Sequence, residues 1–280
     1  MSDPLVSMAW LAERLGSDEV QVVDASWFMP GEGRTGAEAY AQGHIPGAVF
    51  FDIDGVADRS TDLPHMLPAP DAFAAAAGQL GLRRDRTIVV YDGQGIFSAP
   101  RVWWTLRAMG FPNVVVLDGG LLKWRAEGRP LETSAPSPTA TDIEPAFDPS
   151  LVCDLAAVQG VLERRDAQVV DARAAARFRG EAPEPRAGLR SGHMPGARNV
   201  PWGGLVQPDG TMKSAEAIRA AFRDAGVDLG APIVTTCGSG VSAALLALAL
   251  ARLGREDVAV YDGSWTEWGG RGDTAVVTGA

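Results

Sequence analysis

Cysteine is scarce in this chain of 280 residues: there are two, Cys153 and Cys237, too few for the disulfide framework of a small secreted domain. Histidine is nearly as scarce, and His44, His65 and His193 show no spacing with the cysteines or with one another that a metal site requires, so no metal centre is expected. Basic residues are in deficit, 25 against 35 acidic, for a net charge of −10, which argues against nucleic acid or an anionic membrane as partner. The longest apolar run, Val241 to Ala251, is shorter than the roughly 20 residues that span a bilayer. It reads instead as a helix buried on nearly all sides. The first residues, with Asp3 among them, carry no basic-then-apolar export signal, and a working thiol prefers a reducing compartment. A cytoplasmic protein is the expectation.

The rest of the composition, 46% apolar and 21% charged, is that of a globular protein long enough for two domains. An internal repeat divides it. Val22-Val23-Asp24-Ala25 recurs as Val169-Val170-Asp171-Ala172, and Gly43-His44-Ile45-Pro46-Gly47 as Gly192-His193-Met194-Pro195-Gly196. Ile88 to Gly93 matches Ile233 to Gly238, and Leu117-Asp118-Gly119 with Trp124 matches Tyr261-Asp262-Gly263 with Trp268. The offsets, 147, 149, 145 and 144, keep one order, so the chain holds two copies of one domain. The expected division is 1–130, a Pro/Ser/Thr-rich linker over 131–150, and 151–280.

Each copy alternates short β-branched runs with helical stretches. Strands are expected over Val20–Val23, Ile88–Tyr91, Val114–Leu117, Gln168–Val170, Ile233–Thr236 and Val258–Tyr261; helices over Asp71–Leu80, Arg101–Met109, Asp154–Arg164 and Ala215–Ala225. Such alternation implies an α/β fold, two tandem domains each with a mainly parallel sheet covered by helices on both faces. Ligands then bind at the carboxyl ends of strands.

Cys237 falls at such an end, where a buried strand hands over to a helix. With glycines at 238 and 240, the loop Cys237-Gly238-Ser239-Gly240-Val241-Ser242 can curl so that its N–H groups point inward, and the following helix adds its positive end. That ring favours an anion, and the anion of a cysteine is its nucleophilic form. The same place in the first copy holds Asp92, which cannot carry sulfur, so that copy is expected to be silent. A phosphatase would need an arginine six residues after the cysteine to fork onto phosphate; position 243 is alanine. On the loop between Asp171 and the Gly-His-Met-Pro-Gly turn, Arg177 and Arg186 stand in a segment stiffened by Pro183 and Pro185. There two guanidinium groups could grip a small carboxylate, although loop arginines are usually solvated surface charges.

The Cys237-to-Ser242 loop resembles the persulfide-forming loop of the rhodanese superfamily, in the neutral version typical of its tandem-domain 3-mercaptopyruvate sulfurtransferases. Thiosulfate-preferring relatives usually place basic residues where this chain has Gly238 and Ser239. The resemblance implies a Cys237 persulfide cradled by Gly238, Gly240, Val241 and Ser242, no separate cofactor, and a substrate carboxylate held by Arg177 and Arg186. It also implies a proton relay of Ser239, His65 and Asp54, the last two contributed by the first domain, a chemistry indifferent to chain order if the geometry closes. The donor it implies is 3-mercaptopyruvate; the acceptor is a thiol, such as reduced thioredoxin, or cyanide. Thiosulfate transfer and a non-enzymatic sulfur-carrier module are the alternatives. One departure is Phe97, where the family often has tyrosine. His44 and His193 occupy equivalent turns of active and silent copies and read as structural, Cys153 as a buried thiol, and Arg173, Arg179 and Arg190 as surface charges.

Overall fold

The β-branched runs form strands, and every strand pairs in parallel with its neighbours. The computed structural model describes residues 3–29 and 31–279. Its N-terminal sheet contains β1 (Leu5–Val6), β2 (Val20–Asp24), β3 (Val49–Phe50), β4 (Thr87–Tyr91) and β5 (Val114–Leu117), in the order β1-β5-β4-β2-β3. The C-terminal sheet contains β6 (Val152–Cys153), β7 (Gln168–Asp171), β8 (Arg198–Asn199), β9 (Ile233–Thr236) and β10 (Ala259–Tyr261), in the equivalent order β6-β10-β9-β7-β8. The six longer strands are those expected from the sequence. The four outer ones are two residues each, too short to carry a periodic signal, and short edge strands offer little template for stray pairing.

Helix boundaries follow their capping chemistry. Pro70 and Pro100 sit in the first turns of helices Pro70–Gln79 and Ala99–Ala108, which therefore begin slightly ahead of the expected starts. Asp154 and Ser214 cap helices Leu155–Arg164 and Ala215–Asp224 by accepting the N–H groups of Ala157 and Ala217. Helix Val241–Arg252 is buried from Ala243 through Ala251, as its apolar sequence requires.

The repeat extends into packing. Nδ1 of His44 lies 2.8 Å from the Tyr40 carbonyl, and Nδ1 of His193 lies 2.8 Å from that of Phe178; because a carbonyl only accepts, Nδ1 carries the proton in both. Each imidazole stacks at 3.8 Å on the aromatic ring of the residue that supplies that carbonyl. Trp124 and Trp268 are buried equivalents, each donating its indole N–H to a carbonyl at 2.8 Å, of Pro130 and Ala275 respectively.

Contacts divide the chain into two units. One comprises Met1–Arg59, Leu67–Asp148 and Gln207–Met212; the other comprises Ser60–Met66, Pro149–Val206 and Lys213–Ala280. The segment 131–148, without helix or strand, is tied to the first unit: Glu132 bridges His44, Thr141 N–H donates to the Gly78 carbonyl (2.9 Å), and Asp148 N–H to that of Ala108 (2.7 Å).

Candidate functional site

β9 is the middle strand of its sheet, flanked by β10 and β7, and the chain leaves it at Cys237. Cys237 is buried, and its backbone is fixed on both sides. Its N–H donates to Ser264 Oγ (3.2 Å), and its carbonyl accepts the N–H of Trp265 (2.9 Å). The next carbonyl, Gly238, accepts both the N–H (2.8 Å) and the hydroxyl (2.7 Å) of Thr266. Ser264 has φ of 50°, in the left-handed region that serine seldom occupies, and the residue in its place in the first copy is Gly120, at φ 51°. Its hydroxyl also donates to the Tyr261 carbonyl (2.8 Å). Ser264 is not among the residues singled out from the sequence, although Asp262-Gly263-Ser264 set against Asp118-Gly119-Gly120 carries its signal, a serine where the other copy has glycine.

Gly240, at φ 82°, turns the loop into the helix that starts at Val241. Among the described residues, the N–H groups of residues 239 to 242 donate to no protein acceptor. Ser239 is buried in this turn, and Ser242 is half-buried.

Arg177, in the short helix Ala175–Phe178, reaches the loop: its Nη2 stands 3.1 Å from where a Cβ on Gly238 would lie. The same guanidinium is gripped from its Nε–Nη2 edge by Glu184, through Nη2 to Oε2 and Nε to Oε1 (3.3 Å). Glu184 also receives Arg173 Nη1 at 2.8 Å. Arg173 is not the surface charge its sequence suggested. It is 1% exposed, paired with Asp171 (Nη2–Oδ2 2.7 Å), bonded to the Gly192 carbonyl, and laid over the Trp265 ring at 4.1 Å. Burial of a guanidinium requires such partners, and Asp171, Glu184, Gly192 and Trp265 come from four separate places in the chain. Arg190 is likewise half-buried and structural, bonded to the carbonyls of Trp268, Gly269 and Thr274. Only Arg179 is exposed as expected, beside Glu181.

Arg186 lies with its Nη2 3.4 Å from His65 Nε2. A guanidinium only donates, so Nε2 is the acceptor in this arrangement. His65 is buried, with φ of 64°, in the segment Ser60–Met66 that belongs by contacts to the C-terminal unit although it precedes most of the N-terminal one in sequence. Asp54 stays in the N-terminal unit, exposed in the short helix Ile53–Val56, and Oδ2 accepts the indole N–H of Trp27 at 2.8 Å. The structure therefore gathers Cys237 to Ser242, Arg177, Arg186 and His65 in one unit and leaves Asp54 in the other. Phe97 is buried in the N-terminal unit, its ring 6.3 Å from that of Trp27.

Asp92 occupies the matching place at the end of β4. Its carboxylate accepts the N–H groups of Gln94 (2.8 Å), Phe97 (2.8 Å), Ser98 (2.9 Å) and Ala99 (2.9 Å), so this loop is filled by its own side chain. Burial raises the Asp92 pKa above the ordinary carboxylate value, and the four donors act against that rise. The other thiol, Cys153, is buried in the core, and desolvation with the nearby Asp154 charge pushes its pKa up to about 12. Among the described residues, no group of three or more His, Cys, Asp or Glu side chains could hold a metal ion, and no helix is long and apolar enough to cross a membrane.

Comparison with known proteins agrees with this arrangement. A rhodanese-like domain matches the chain twice, over residues 7–127 and 154–271. The 3-mercaptopyruvate sulfurtransferase of Escherichia coli strain K12 is 46% identical over 272 residues, covering 97% of this chain and 96% of the relative. A mitochondrial thiosulfate/3-mercaptopyruvate sulfurtransferase of Arabidopsis thaliana is 43% identical over 296 residues, 98% of this chain and 78% of that protein. The crystal structure of the Escherichia coli 3-mercaptopyruvate sulfotransferase SseA superposes with a TM-score of 0.87 at 43% identity, over 94% of this chain and 99% of that one. With the domain matched in both halves and relatives aligned along nearly the whole length, this chain belongs to the rhodanese family, as a tandem of two rhodanese-like domains.

Proposed function

We propose that the protein is a 3-mercaptopyruvate sulfurtransferase working through a persulfide on Cys237. The observation that carries this reading is the placement of a guanidinium, Arg177, against Gly238 of a cysteine loop that has no side-chain cation of its own. A donor bearing a carboxylate next to its sulfur would satisfy both. The Cys237 thiolate attacks the sulfur of 3-mercaptopyruvate. The carbon–sulfur bond breaks, and its electron pair leaves on carbon as the enolate of pyruvate, which takes up a proton. Arg177 and Arg186 hold the carboxylate and keto oxygens; Ser239 and His65, which lie in the same unit, supply the proton path. The outer sulfur rests among the N–H groups of residues 238 to 242 until a second thiol, such as reduced thioredoxin, or cyanide removes it and restores the thiolate. The covalent intermediate gives a ping-pong pattern and needs no cofactor, and the reducing conditions it requires favour the cytoplasm as its location.

Thiosulfate is the second donor to consider, because a relative aligned along nearly all of this chain carries both donors in its name. The test compares the two on the wild type and on Arg186→Ala. The expected result is preference for 3-mercaptopyruvate, with kcat/KM for that donor lowered by about 10²-fold in the variant and thiosulfate turnover changed far less. Preference for thiosulfate with no effect of Arg186→Ala on either donor would overturn the assignment.

A further inference from the structure

We infer that Glu184 is a positioning residue for the sulfur donor, acting through Arg177. This rests on the proposed role of Arg177 in holding a carboxylate donor.

Glu184 comes from the loop after the helix Ala175–Phe178, in Pro183-Glu184-Pro185, yet its side chain is only 1% exposed. One carboxylate oxygen, Oε1, receives both Arg173 Nη1 and Arg177 Nε, while Oε2 receives Arg177 Nη2. Arg173 is itself locked by Asp171, the Gly192 carbonyl and the Trp265 face. Glu184 is thus anchored on a group that cannot move and extends that anchorage to Arg177, whose side chain remains 24% exposed. The long arginine side chain would otherwise sample many rotamers.

The geometry also sets how Arg177 can bind. Its Nε–Nη2 edge is taken by Glu184, leaving both hydrogens of Nη1 and one of Nη2 for a ligand. The donor's oxygens meet the end-on edge, beside Gly238, rather than the side-on fork. Replacing Glu184 by glutamine keeps the volume but leaves one acceptor oxygen for two guanidinium groups and turns an amide N–H₂ toward a cation. Arg177 would lose its fixed place while Arg173 kept Asp171.

The experiment is steady-state kinetics with 3-mercaptopyruvate on the full chain, for wild type, Glu184→Gln, Arg177→Ala and the double variant. Expected is a KM raised about tenfold or more by Glu184→Gln with kcat within about threefold, because binding geometry rather than sulfur attack is lost. The double variant should be no worse than Arg177→Ala alone, since Glu184 acts through that residue. An unchanged KM in Glu184→Gln, or the same further loss when the substitution is added to Arg177→Ala, overturns the inference. Should Glu184→Gln fail to fold, Glu184→Asp retains the charge but cannot span both arginines, and the same rise in KM is required of it. A wild type without 3-mercaptopyruvate activity would instead overturn the functional reading beneath.

Discussion

Asp92 and Cys237 stand at the same point of the two halves, at the end of the middle strand and before a glycine, and their carbonyls accept the N–H of the equivalent helix residues, Leu121 and Trp265, both at 2.9 Å. The backbones solve one problem in two ways. In the first half the carboxylate of Asp92 folds into the turn and takes four N–H groups, so the anion is built in. In the second half the side chain is a thiol, which is no anion in its protonated form, and among the described residues the N–H groups of residues 239 to 242 donate to no protein acceptor, which is where we propose the outer sulfur rests. One loop spends its donors on its own side chain; the other, on the proposed function, keeps them for the transferred sulfur.

Substitution at Cys237 should break that comparison most completely. Cys237→Ser should abolish sulfur transfer, lowering kcat/KM by at least about 10³-fold, and intact-mass measurement after donor treatment should show the gain of one sulfur in wild type and none in the variant. The mirror experiment is Asp92→Asn. Asparagine offers one acceptor oxygen and turns an N–H₂ group toward buried donors, so stability should fall by about 2 kcal/mol by chemical denaturation, with turnover per folded molecule unchanged. An activity loss as large as that at Cys237 would show that the first loop is more than a filled one.

Gly240→Ala sharpens the comparison further. At φ 82° an alanine is strained by about 1 kcal/mol, and the cost falls on the turn that joins Cys237 to the helix starting at Val241. A modest drop in denaturation midpoint should come with a larger fractional drop in turnover. The smallest effect concerns the two thiols. With its pKa near 12, Cys153 stays protonated throughout the neutral range, so alkylation of the native protein at pH 8 should modify Cys237 alone, and Cys153 should react only on unfolding.

Much of this was legible in the sequence because it is local. Each of the six longer strands is a short run rich in valine, isoleucine or other strand-favouring residues, the glycines at 238 and 240 follow the cysteine, and the repeat keeps its register whatever the chain does in space. Arg173 was misread for the opposite reason: an arginine is by default exposed, and what buries this one is a carboxylate two residues earlier, a carboxylate eleven residues later and a tryptophan ring 92 residues away. Ser264 was missed because its strain is a property of φ, which no residue name states.

By itself, then, the sequence determined the two parallel α/β halves, the cysteine at a strand end and the Asp92 that takes its place in the other copy, since periodicity, turn chemistry and residue type act over a few neighbouring positions. Only the tertiary structure decided that His65 lies with the C-terminal half against Arg186, that Arg177 stands over Gly238, and that Glu184 ties it to a buried Arg173. Those are long-range pairings of charges and donors, and they exist only once burial has removed the water that would otherwise have satisfied each group alone.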